Sequence, residues 1–519
     1  MTNFLSEEMN KTRTENGAAT YVSTGSNCLD LFATVGAMRR AQEEEIIARF
    51  TRAYIEDPDT AMKLLFFARD VRGGLGERRT FRVIFRRLAK NYPDSVKKNL
   101  DLVAEYGRFD DLLVLFDTPC EREMLECLHK QYVKDLSILK NRESSEKNRC
   151  ECHEQKTGSV AASERENISL LGKWLPSVNA SGKETVRKAK RVARAFGISE
   201  AKYRRDLSAL RKEIRILENF LRRKDYSFDY EKQPSRAMFK YHQAFLRNDR
   251  ERYQEFLSRV SKGEAKLHAD QVAPYELVEP YLQCSWSSGR YSFVRDMTPE
   301  EAEVLNATWA SLPDFGNGEN ALAVIDTSGS MYSYHNPMPA AVALSLGLYF
   351  AEHNKGFFAN QFIEFSEDPV LIELKGKTFT DKLRYAASLA KVANTDLQRV
   401  FDTILRAAVK AKVKKEEMPS KIIIISDMEF DQCVYGADVT NFEYAKARFE
   451  AYGYRLPEIV FWNVASRNRQ QPVRQNEQGV ALVSGATPRL FEMIAGGVLS
   501  PYRFMMEILN SERYAKVAA

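Results

Sequence analysis

The stretch ENALAVIDTSGSM, residues 319–331, joins an apolar run to a turn rich in oxygen-bearing side chains. Residues 321–325 are all apolar, which predicts a strand buried on both faces. The D-x-S-x-S turn that follows places Asp326, Ser328 and Ser330 at the carboxyl end of that strand. Oxygen ligands suit a hard divalent cation, most naturally Mg²⁺, with Mn²⁺ or Ca²⁺ as alternatives. An ordinary turn, in which Asp and Ser bond their own backbone, also fits these residues.

Two further segments each supply an oxygen ligand where such a site needs one. In KVANTDLQRVFDTIL, residues 391–405, Thr395 stands at the entry to an amphipathic helical pattern. In KIIIISDMEFD, residues 421–431, four isoleucines predict a second buried strand, and Asp427 follows it. Because ligands collect at the carboxyl ends of strands in an open α/β sheet, we expect these side chains to meet at one edge.

Together, Asp326, Ser328, Ser330, Thr395 and Asp427 resemble the metal-ion-dependent adhesion site of von Willebrand factor A domains. The resemblance implies direct ligation by Ser328, Ser330 and Thr395, with both aspartates holding the ion mostly through waters. It also implies an open coordination position that a partner's carboxylate fills, so that the metal mediates binding and does no chemistry. A purely structural role, in which the two aspartates cap neighbouring helices, remains the alternative.

Strands and helices alternate beyond the turn-rich LPDFGNGEN, residues 312–320. This alternation predicts a mostly parallel sheet covered on both faces, a Rossmann-like domain over residues 316–519. The predicted strands cover residues 321–325, 361–365, 369–374, 421–425, 458–464 and 479–483, and the predicted helices cover 340–352, 380–392, 397–412, 442–452 and 488–495.

The first domain, residues 1–315, is predicted to be helical almost throughout. Its helices, from residue 27 to about 280, are short, and each carries one apolar face. Stacking them in pairs as a HEAT-like helical-repeat solenoid or ring is the economical way to bury those faces. Residues 141–166 are polar and poor in large apolar side chains, which predicts a loop insertion.

Chain length indicates the number of domains, and cysteine content indicates the cellular compartment. A chain of 519 residues is too long for one ordinary core. Its seven cysteines are odd in number and irregularly spaced, which argues against a disulfide framework and favours a reducing, cytoplasmic location. No apolar run has the length of a signal peptide or a membrane span, so we expect a soluble protein without membrane contacts.

The basic residues concentrate between residues 186 and 224, where 14 basic residues face 4 acidic ones. Such a stripe is the footprint expected of a protein that binds a phosphate backbone, although a solvated helical face explains it equally well. The candidate RNA-binding residues in the stripe are Arg187, Lys188, Lys190, Arg191, Arg194, Lys202, Arg204, Arg205, Arg211 and Lys212.

Two smaller motifs add weaker candidates. In RDVRGGLGERR, residues 69–79, glycine amides beside Arg69, Arg72, Arg78 and Arg79 could hold a phosphate. A tight turn between two helices is the favoured explanation of that segment. Lys173 precedes a tryptophan that could stack on an unpaired base, although a buried tryptophan ending a helix is favoured.

Several motifs occur in an order that carries a family resemblance. They are ENGAATYVSTGSNCLDLF (15–32), ARDVRGGLGERRTFR (68–82), YGRFDDLL (106–113), ISLLGKWLPSVN (168–179), YRRDLSALRK (203–212) and PYELV (274–278). With the C-terminal motifs they resemble the domain-of-unknown-function family 2828 over nearly the whole chain. Members of that family look like relatives of the Ro autoantigen, which joins a TROVE ring of helical repeats to a von Willebrand factor A domain. The resemblance implies a ring that binds small non-coding or misfolded RNA on a basic outer surface and accepts single-stranded ends in its hole.

Two functional hypotheses follow. The first is a non-catalytic RNA-binding protein whose metal-bearing domain recruits a protein partner through an acidic side chain. The second is a metal-dependent protein-interaction scaffold without nucleic acid. We do not expect an enzyme, because the six histidines show no HExxH spacing and the sequence has neither a G-x-S-x-G elbow nor a P-loop.

Overall fold

The computed structural model describes residues 9–151, 167–214, 216–287, 290–315, 318–332, 337–366, 368–389, 396–430, 441–494, 497 and 500–519. The chain forms two compact units. The larger comprises Met1–Thr80 and Asp229–Lys516, and the smaller comprises Phe81–Phe228 and Val517–Ala519. This division differs from the boundary predicted at residues 315 and 316, because the first eighty residues belong to the same unit as the α/β region.

Within the described residues, the strands all lie in the larger unit. They are β1 (Lys11–Arg13), β2 (Ala19–Tyr21), β3 (Leu282–Ser287), β4 (Arg290–Val294), β5 (Ala321–Asp326), β6 (Gln361–Phe365), β7 (Val370–Glu373), β8 (Lys421–Ser426), β9 (Glu458–Asn463) and β10 (Val480–Ser484). The pairs β1–β2 and β3–β4 form antiparallel hairpins, which the sequence patterns had not predicted. The other six strands form one sheet in the order β10-β9-β8-β5-β6-β7.

The helices fall into three groups along the chain. The first group is α1 (Asn27–Phe32), α2 (Glu43–Glu56) and α3 (Pro58–Arg69). The second is α4 (Arg78–Asn91), α5 (Pro93–Lys98), α6 (Val103–Tyr106), α7 (Phe109–Leu112), α8 (Glu121–Glu151), α9 (Leu171–Trp174), α10 (Lys183–Ala195), α11 (Glu200–Glu213) and α12 (Leu217–Arg222). The third is α13 (Ser235–Asn248), α14 (Arg250–Ser261), α15 (Pro274–Val278), α16 (Pro299–Ala310), α17 (Pro339–His353), α18 (Phe379–Leu389), α19 (Leu397–Ala411), α20 (Asn441–Ala451), α21 (Arg489–Ile494) and α22 (Pro501–Leu509).

The six-stranded sheet confirms the predicted α/β architecture. Every strand pair in it is parallel except β6–β7, which is antiparallel. Strands β5 and β8 are buried along their whole length, as expected for strands covered on both faces. One face packs against α19 and α20 through Val400, Ile404 and Phe449. On the other face α17 approaches β5 so closely that a Cβ at Gly347 would lie 1.9 Å from Cδ1 of Ile325.

The first eighty residues pack against the C-terminal end of the chain. Phe32 in α1 stacks on Phe67 in α3 at 5.5 Å between ring centroids and meets Phe504 in α22 edge-on at 6.1 Å. The carboxylate of Asp70 is fully buried and forms two hydrogen bonds with the guanidinium of Arg513, at 2.5 and 2.8 Å. The contacts of Phe32 with Phe504 and of Asp70 with Arg513 join segments more than 400 residues apart, which explains why the order of helices alone suggested a different domain boundary.

The smaller unit is helical and has its own aromatic core. The ring of Phe196 packs against the rings of His129, Tyr132 and Tyr203, with centroids 4.8 to 6.4 Å apart. The chain's last residues return to this unit, where Nδ2 of Asn99 donates a hydrogen bond to the carbonyl of Ala518 at 2.6 Å.

The prediction of a loop over residues 141–166 is wrong for residues 141–151. Residues 141–151 are the last turns of α8, because Glu, Lys and Arg favour helix even where few apolar residues anchor it. Residues 152–166 lie outside the described residues. No helix in the described part of the chain is long and apolar enough to span a membrane.

Candidate metal centre and cationic cleft

The carboxylates of Asp326 and Asp427 lie at the carboxyl edge of the sheet, at the point where the strand order reverses. Asp326 is the last residue of β5, and Asp427 directly follows β8, its hydrogen-bonded neighbour. From β5 the chain first adds β6 and β7 on one side and later β8 to β10 on the other. Such a reversal opens a crevice between the loops, which is where open α/β sheets bind ligands.

Asp326 is held by hydrogen bonds on both oxygens. Its Oδ2 accepts from the Ser426 hydroxyl at 2.6 Å, and its Oδ1 accepts from the backbone N–H of Ser328 at 2.9 Å. The hydroxyls of Ser328 and Ser330 lie 3.1 Å apart. The turn thus brings three of the predicted ligands together. Of the other two predicted ligands, Asp427 lies at the end of the neighbouring strand, and Thr395 lies outside the described residues.

Burial dominates the electrostatics of this edge. Asp326 and Asp427 are only 1% and 3% exposed. Burial, and then the negative charge of Asp427, raise the pKa of Asp326 to about 7. Two buried carboxylates beside two hydroxyls are a donor set that suits a hard divalent cation, which would offset this repulsion.

The alternative of an ordinary turn, in which Asp bonds its own backbone, is visible in the same residues. Oδ1 of Asp427 accepts from the backbone N–H of Glu429 at 3.3 Å, two residues ahead, as Asp326 does from Ser328. Neither aspartate caps an α-helix with these bonds. Within the described residues, no three His, Cys, Asp or Glu side chains cluster as a metal site, so a cation here would depend on serine or threonine hydroxyls.

Arg467, which sequence reasoning missed, links this edge to the N-terminal hairpin. Its Nη1 lies 3.4 Å from Oδ2 of Asp427, and its Nη2 lies 2.7 Å from Oε2 of Glu15. The buried Glu429 carboxylate accepts from the backbone N–H of Glu15 at 2.9 Å and from Nδ2 of Asn468 at 2.8 Å. No local pattern could have identified these residues, because Glu15 and Arg467 are 452 positions apart.

A cleft of about 590 Å³ lies in the smaller unit, between α11, α12 and the segment after α9. Six cationic and no acidic residues line it. The cationic residues are Arg204, Arg205, Arg211, Lys212, Arg222 and Arg223, and the uncharged ones are Ser177, Val178, Asn179, Tyr203, Leu207, Ser208, Ala209 and Asn219. We call this surface the cationic cleft.

Arg211 differs from the other five cations of the cationic cleft. It donates hydrogen bonds to the carbonyls of Gly172 at 2.8 Å and Leu175 at 2.9 Å, and to the Ser177 hydroxyl at 2.8 Å. Arg211 therefore ties α11 to the segment that follows α9. Burial lowers its pKa, as expected for a partly enclosed guanidinium.

The other five cations are exposed. Within the described part of the chain, their side chains form no hydrogen bond or ion pair; they are Arg204, Arg205, Lys212, Arg222 and Arg223. Because no carboxylate lines the cationic cleft, their positive potentials add instead of cancelling.

A sequence profile for a domain of unknown function, DUF2828, matches residues 14–164 and 128–314 of this chain, which together make up more than half of it. The chain belongs to the DUF2828 family. The family membership predicted from the ordered motifs is thus confirmed. A second profile, for the domain of unknown function DUF7788, matches residues 320–500 of this DUF2828 member, the part that contains the six-stranded sheet.

Two individual proteins are similar to this DUF2828 member. "Uncharacterized protein L728" of Acanthamoeba polyphaga mimivirus is 28% identical over 529 aligned residues, which cover 96% of this chain and 89% of the viral protein. A crystal structure of the RO (RSR) protein of Deinococcus radiodurans covers 90% of this chain and 92% of its own, at 14% identity and a TM-score of 0.36.

The basic residues predicted on α10 of the DUF2828 member are mostly engaged in ion pairs. Arg191 contacts Asp117 at 2.8 Å and Glu121 at 2.5 Å. Further pairs are Arg187–Glu184, Lys188–Glu184, Lys190–Glu200, Lys202–Asp206 and Lys173–Glu218. Arg194 is exposed. The half-buried ring of Trp174 makes cation–π contacts with the guanidinium of Arg108, 4.5 Å from the ring centroid, and with the ammonium of Lys173, at 5.5 Å.

The four arginines around the glycine-rich turn belong to the larger unit. Arg69 is 1% exposed, and Arg79 donates hydrogen bonds to the carbonyls of Arg39 and Ala41. Arg72 and Arg78 are exposed. A Cβ at Gly74 would lie 2.1 Å from the Phe67 carbonyl oxygen, which explains a glycine at this turn by packing.

Proposed function

We propose that this protein is a non-catalytic RNA-binding protein whose helical unit holds RNA through phosphate contacts. The observation that carries the proposal is the cationic cleft, with five exposed cations whose side chains form no hydrogen bond or ion pair within the described residues. Phosphates are the abundant ligands of unpaired arginines, because the planar guanidinium matches two phosphate oxygens at once. A concave cationic surface also concentrates a polyanion near itself.

The second part of the proposal concerns the sheet edge. Asp326, Ser328, Ser330 and Asp427 would hold a divalent cation, most naturally Mg²⁺, and Thr395 would complete the set. Such a cation supplies an open coordination position that an acidic side chain of a protein partner can fill. The paired buried carboxylates support this assignment, since like charges in a dry site need compensation.

RNA binding is tested by reversing charges in the cationic cleft. The variant combines Arg204→Glu, Arg205→Glu, Arg222→Glu and Arg223→Glu, and its affinity for a labelled 20-nucleotide RNA is measured by fluorescence anisotropy from 50 to 300 mM salt. We expect the affinity to fall by at least about 100-fold, and the slope of log K against log salt to lose about 0.7 for each single-strand phosphate contact removed.

A matched control carries the same change of charge elsewhere. Arg259→Glu, Lys262→Glu, Lys410→Glu and Lys415→Glu alter four exposed cations of the larger unit. If both variants lose affinity equally, the binding is a response to net charge and the cationic cleft has no special role. Wild-type protein that binds no RNA at low salt would refute the proposal.

A metal-dependent scaffold without nucleic acid is the second candidate function. The observation that favours it is the buried pair Asp326 and Asp427, both of which lie in the larger unit. Recovery of a protein partner should then depend on Mg²⁺, fail in EDTA and fail for Asp326→Asn, while RNase treatment leaves it unchanged.

A further inference from the structure

A basic side chain of the protein itself contacts the buried carboxylates of the candidate metal centre. Within the described residues, Arg467 is the basic residue that reaches them, with Nη1 3.4 Å from Oδ2 of Asp427. Asp326 is bonded instead by neutral groups, the Ser426 hydroxyl and the backbone N–H of Ser328. Arg467 is therefore the positive charge that this pair of carboxylates already has.

The loop after β9 holds Arg467 in place from both sides. The Ser466 hydroxyl accepts a hydrogen bond from Nη1 of Arg49 at 2.8 Å, and Nδ2 of Asn468 donates to the carboxylate of Glu429 at 2.8 Å. Arg49 and Glu429 are both buried. The residues before and after Arg467 are thus tied to buried groups, so the fold itself presents the arginine at the sheet edge.

Glu15 gives the same guanidinium a second anchor. Its Oε2 lies 2.7 Å from Nη2 of Arg467, whereas the contact with Asp427 measures 3.4 Å. A longer contact is the weaker hydrogen bond. The contact with Asp427 is therefore the one that opens more easily, and Arg467 can stay on Glu15 when it does.

A guanidinium and a divalent cation compete for a carboxylate that both contact. Like charges repel strongly over a few ångströms where water is excluded, because little solvent screens them. Asp427 is buried, so this condition holds at its carboxylate. Arg467 therefore lowers the affinity of the centre for a divalent cation as long as it stays at Asp427.

We propose that Arg467 is an internal counter-ion of the candidate metal centre. Its guanidinium compensates Asp427 when the centre holds no cation, and a divalent cation has to displace the guanidinium from that carboxylate in order to bind. The protein thus sets the cation concentration at which the centre fills. This inference rests on the proposed cation at the sheet edge, and it is independent of RNA binding.

Calorimetric titration of the full-length protein with Mn²⁺ and with Mg²⁺ tests the proposal. Arg467→Met and Arg467→Gln both remove the positive charge, and the second variant is included in case the first does not fold. We expect each to bind the cation at least about 10-fold more tightly than the wild type, because one repelling charge is removed. Arg467→Lys restores the charge and should return the affinity towards that of the wild type.

Arg469→Met is the matched control, because it removes the same charge from the same loop. Nε of Arg469 donates to Oε1 of Glu45 at 2.8 Å, and within the described residues Arg469 contacts neither Asp326 nor Asp427. It should leave the cation affinity close to that of the wild type. A gain as large as that of Arg467→Met would mean that affinity follows net charge, which would overturn the proposal.

Thermal melts add a measurement that distinguishes a counter-ion from a purely structural arginine. In EDTA, Arg467→Met should melt below the wild type, since it leaves the buried Asp427 without its counter-charge. Saturating Mg²⁺ should raise the melting temperature of the variant more than that of the wild type, because tighter binding to the folded state stabilises it more. An equal loss of melting temperature in EDTA and in Mg²⁺ would assign Arg467 a structural role only.

The outcomes separate this inference from the proposed function. If the wild type binds a cation and the folded Arg467 variants bind it no more tightly, the inference is overturned while the proposed cation stands. If neither the wild type nor the variants bind Mn²⁺ or Mg²⁺, the proposed cation fails and the inference fails with it. Binding that appears only after Arg467→Met supports the counter-ion and counts against a cation in the wild-type protein.

Discussion

The sheet edge contains two negatively charged side chains that are buried, whereas the cationic cleft contains positively charged side chains that are exposed to water. At the sheet edge, Asp326 and Asp427 are buried, and the pKa of Asp326 rises to about 7. In the cationic cleft, Arg204, Arg205 and Arg223 are exposed to water. Like charges in water are screened within about 10 Å at 0.1 M salt, whereas buried ones are not. Repulsion therefore persists at the sheet edge, where Arg467 lies 3.4 Å from Asp427 and offsets part of it, whereas salt screens the exposed cations of the cationic cleft.

The largest expected effect is at Asp326. We expect Asp326→Asn to weaken Mn²⁺ or Mg²⁺ binding by about 100-fold or more, because it removes a carboxylate from the proposed ligand set. In EDTA the same variant should melt no lower than the wild type, since it also removes a buried like charge beside Asp427. Calorimetric titration and thermal melts check both statements.

The matched control is Ser330→Ala, a change at another predicted ligand of the same turn. It removes a hydroxyl group but no charge. It should weaken cation binding with no gain in stability in EDTA. A substantial drop in the melting temperature of Asp326→Asn in EDTA would contradict the view that buried repulsion dominates this edge.

The next largest expected effect is a difference in stability between variants of Arg211 and Arg205, two arginines of the cationic cleft. Arg211→Met should lower the free energy of unfolding by about 2–3 kcal/mol, because it leaves the carbonyls of Gly172 and Leu175 without their donor. Arg205→Met should leave stability unchanged and weaken RNA binding several-fold. Urea unfolding and anisotropy measure the two quantities; equal stability losses would mean that both arginines are structural.

A smaller effect distinguishes paired cations from unpaired ones. Arg191→Gln removes ion pairs to Asp117 and Glu121 and a cation–π contact to Phe116, 4.8 Å from the guanidinium carbon to the ring centroid. We expect a loss of about 1 kcal/mol in the free energy of unfolding. RNA affinity should change less than for Arg205→Met. The reverse order would show that the paired cations of α10 bind RNA.

The smallest expected effect is a pH dependence of the free energy of unfolding. It arises from Glu45, where the N-terminal segment contacts the loop after β9. Hydrogen bonds from Arg469, and also from Arg49, lower the pKa of Glu45 to about 2. Since the folded-state pKa lies below the unfolded value of about 4.3, the stabilisation is present above that value and is lost as the pH falls towards 2. The difference in unfolding free energy between the wild type and Glu45→Gln should therefore shrink from pH 5 to pH 3, and a constant difference would contradict it.

The sequence predicted the α/β region closely. Buried strands such as β5 and β8 are continuous apolar runs, and their helices carry clear apolar faces, so local patterns determine them. Asp326, Ser328 and Asp427 were placed together because the ends of neighbouring parallel strands share one edge. The hairpins β1–β2 and β3–β4 were not predicted, since short strands with mixed composition carry little periodic signal.

The amino-acid sequence was enough to predict the strands and helices of the α/β region, the oxygen-rich turn at Asp326 and the concentration of positive charge between residues 186 and 224. The folded structure was needed to show that the first eighty residues belong to the same unit as the sheet and that Arg467 lies near both Asp427 and Glu15. It also decided which basic residues are paired and which line the cationic cleft. The physical reason is that periodicity and composition report local conformation and burial, whereas the pairing of charges hundreds of residues apart depends on how the faces of those elements pack.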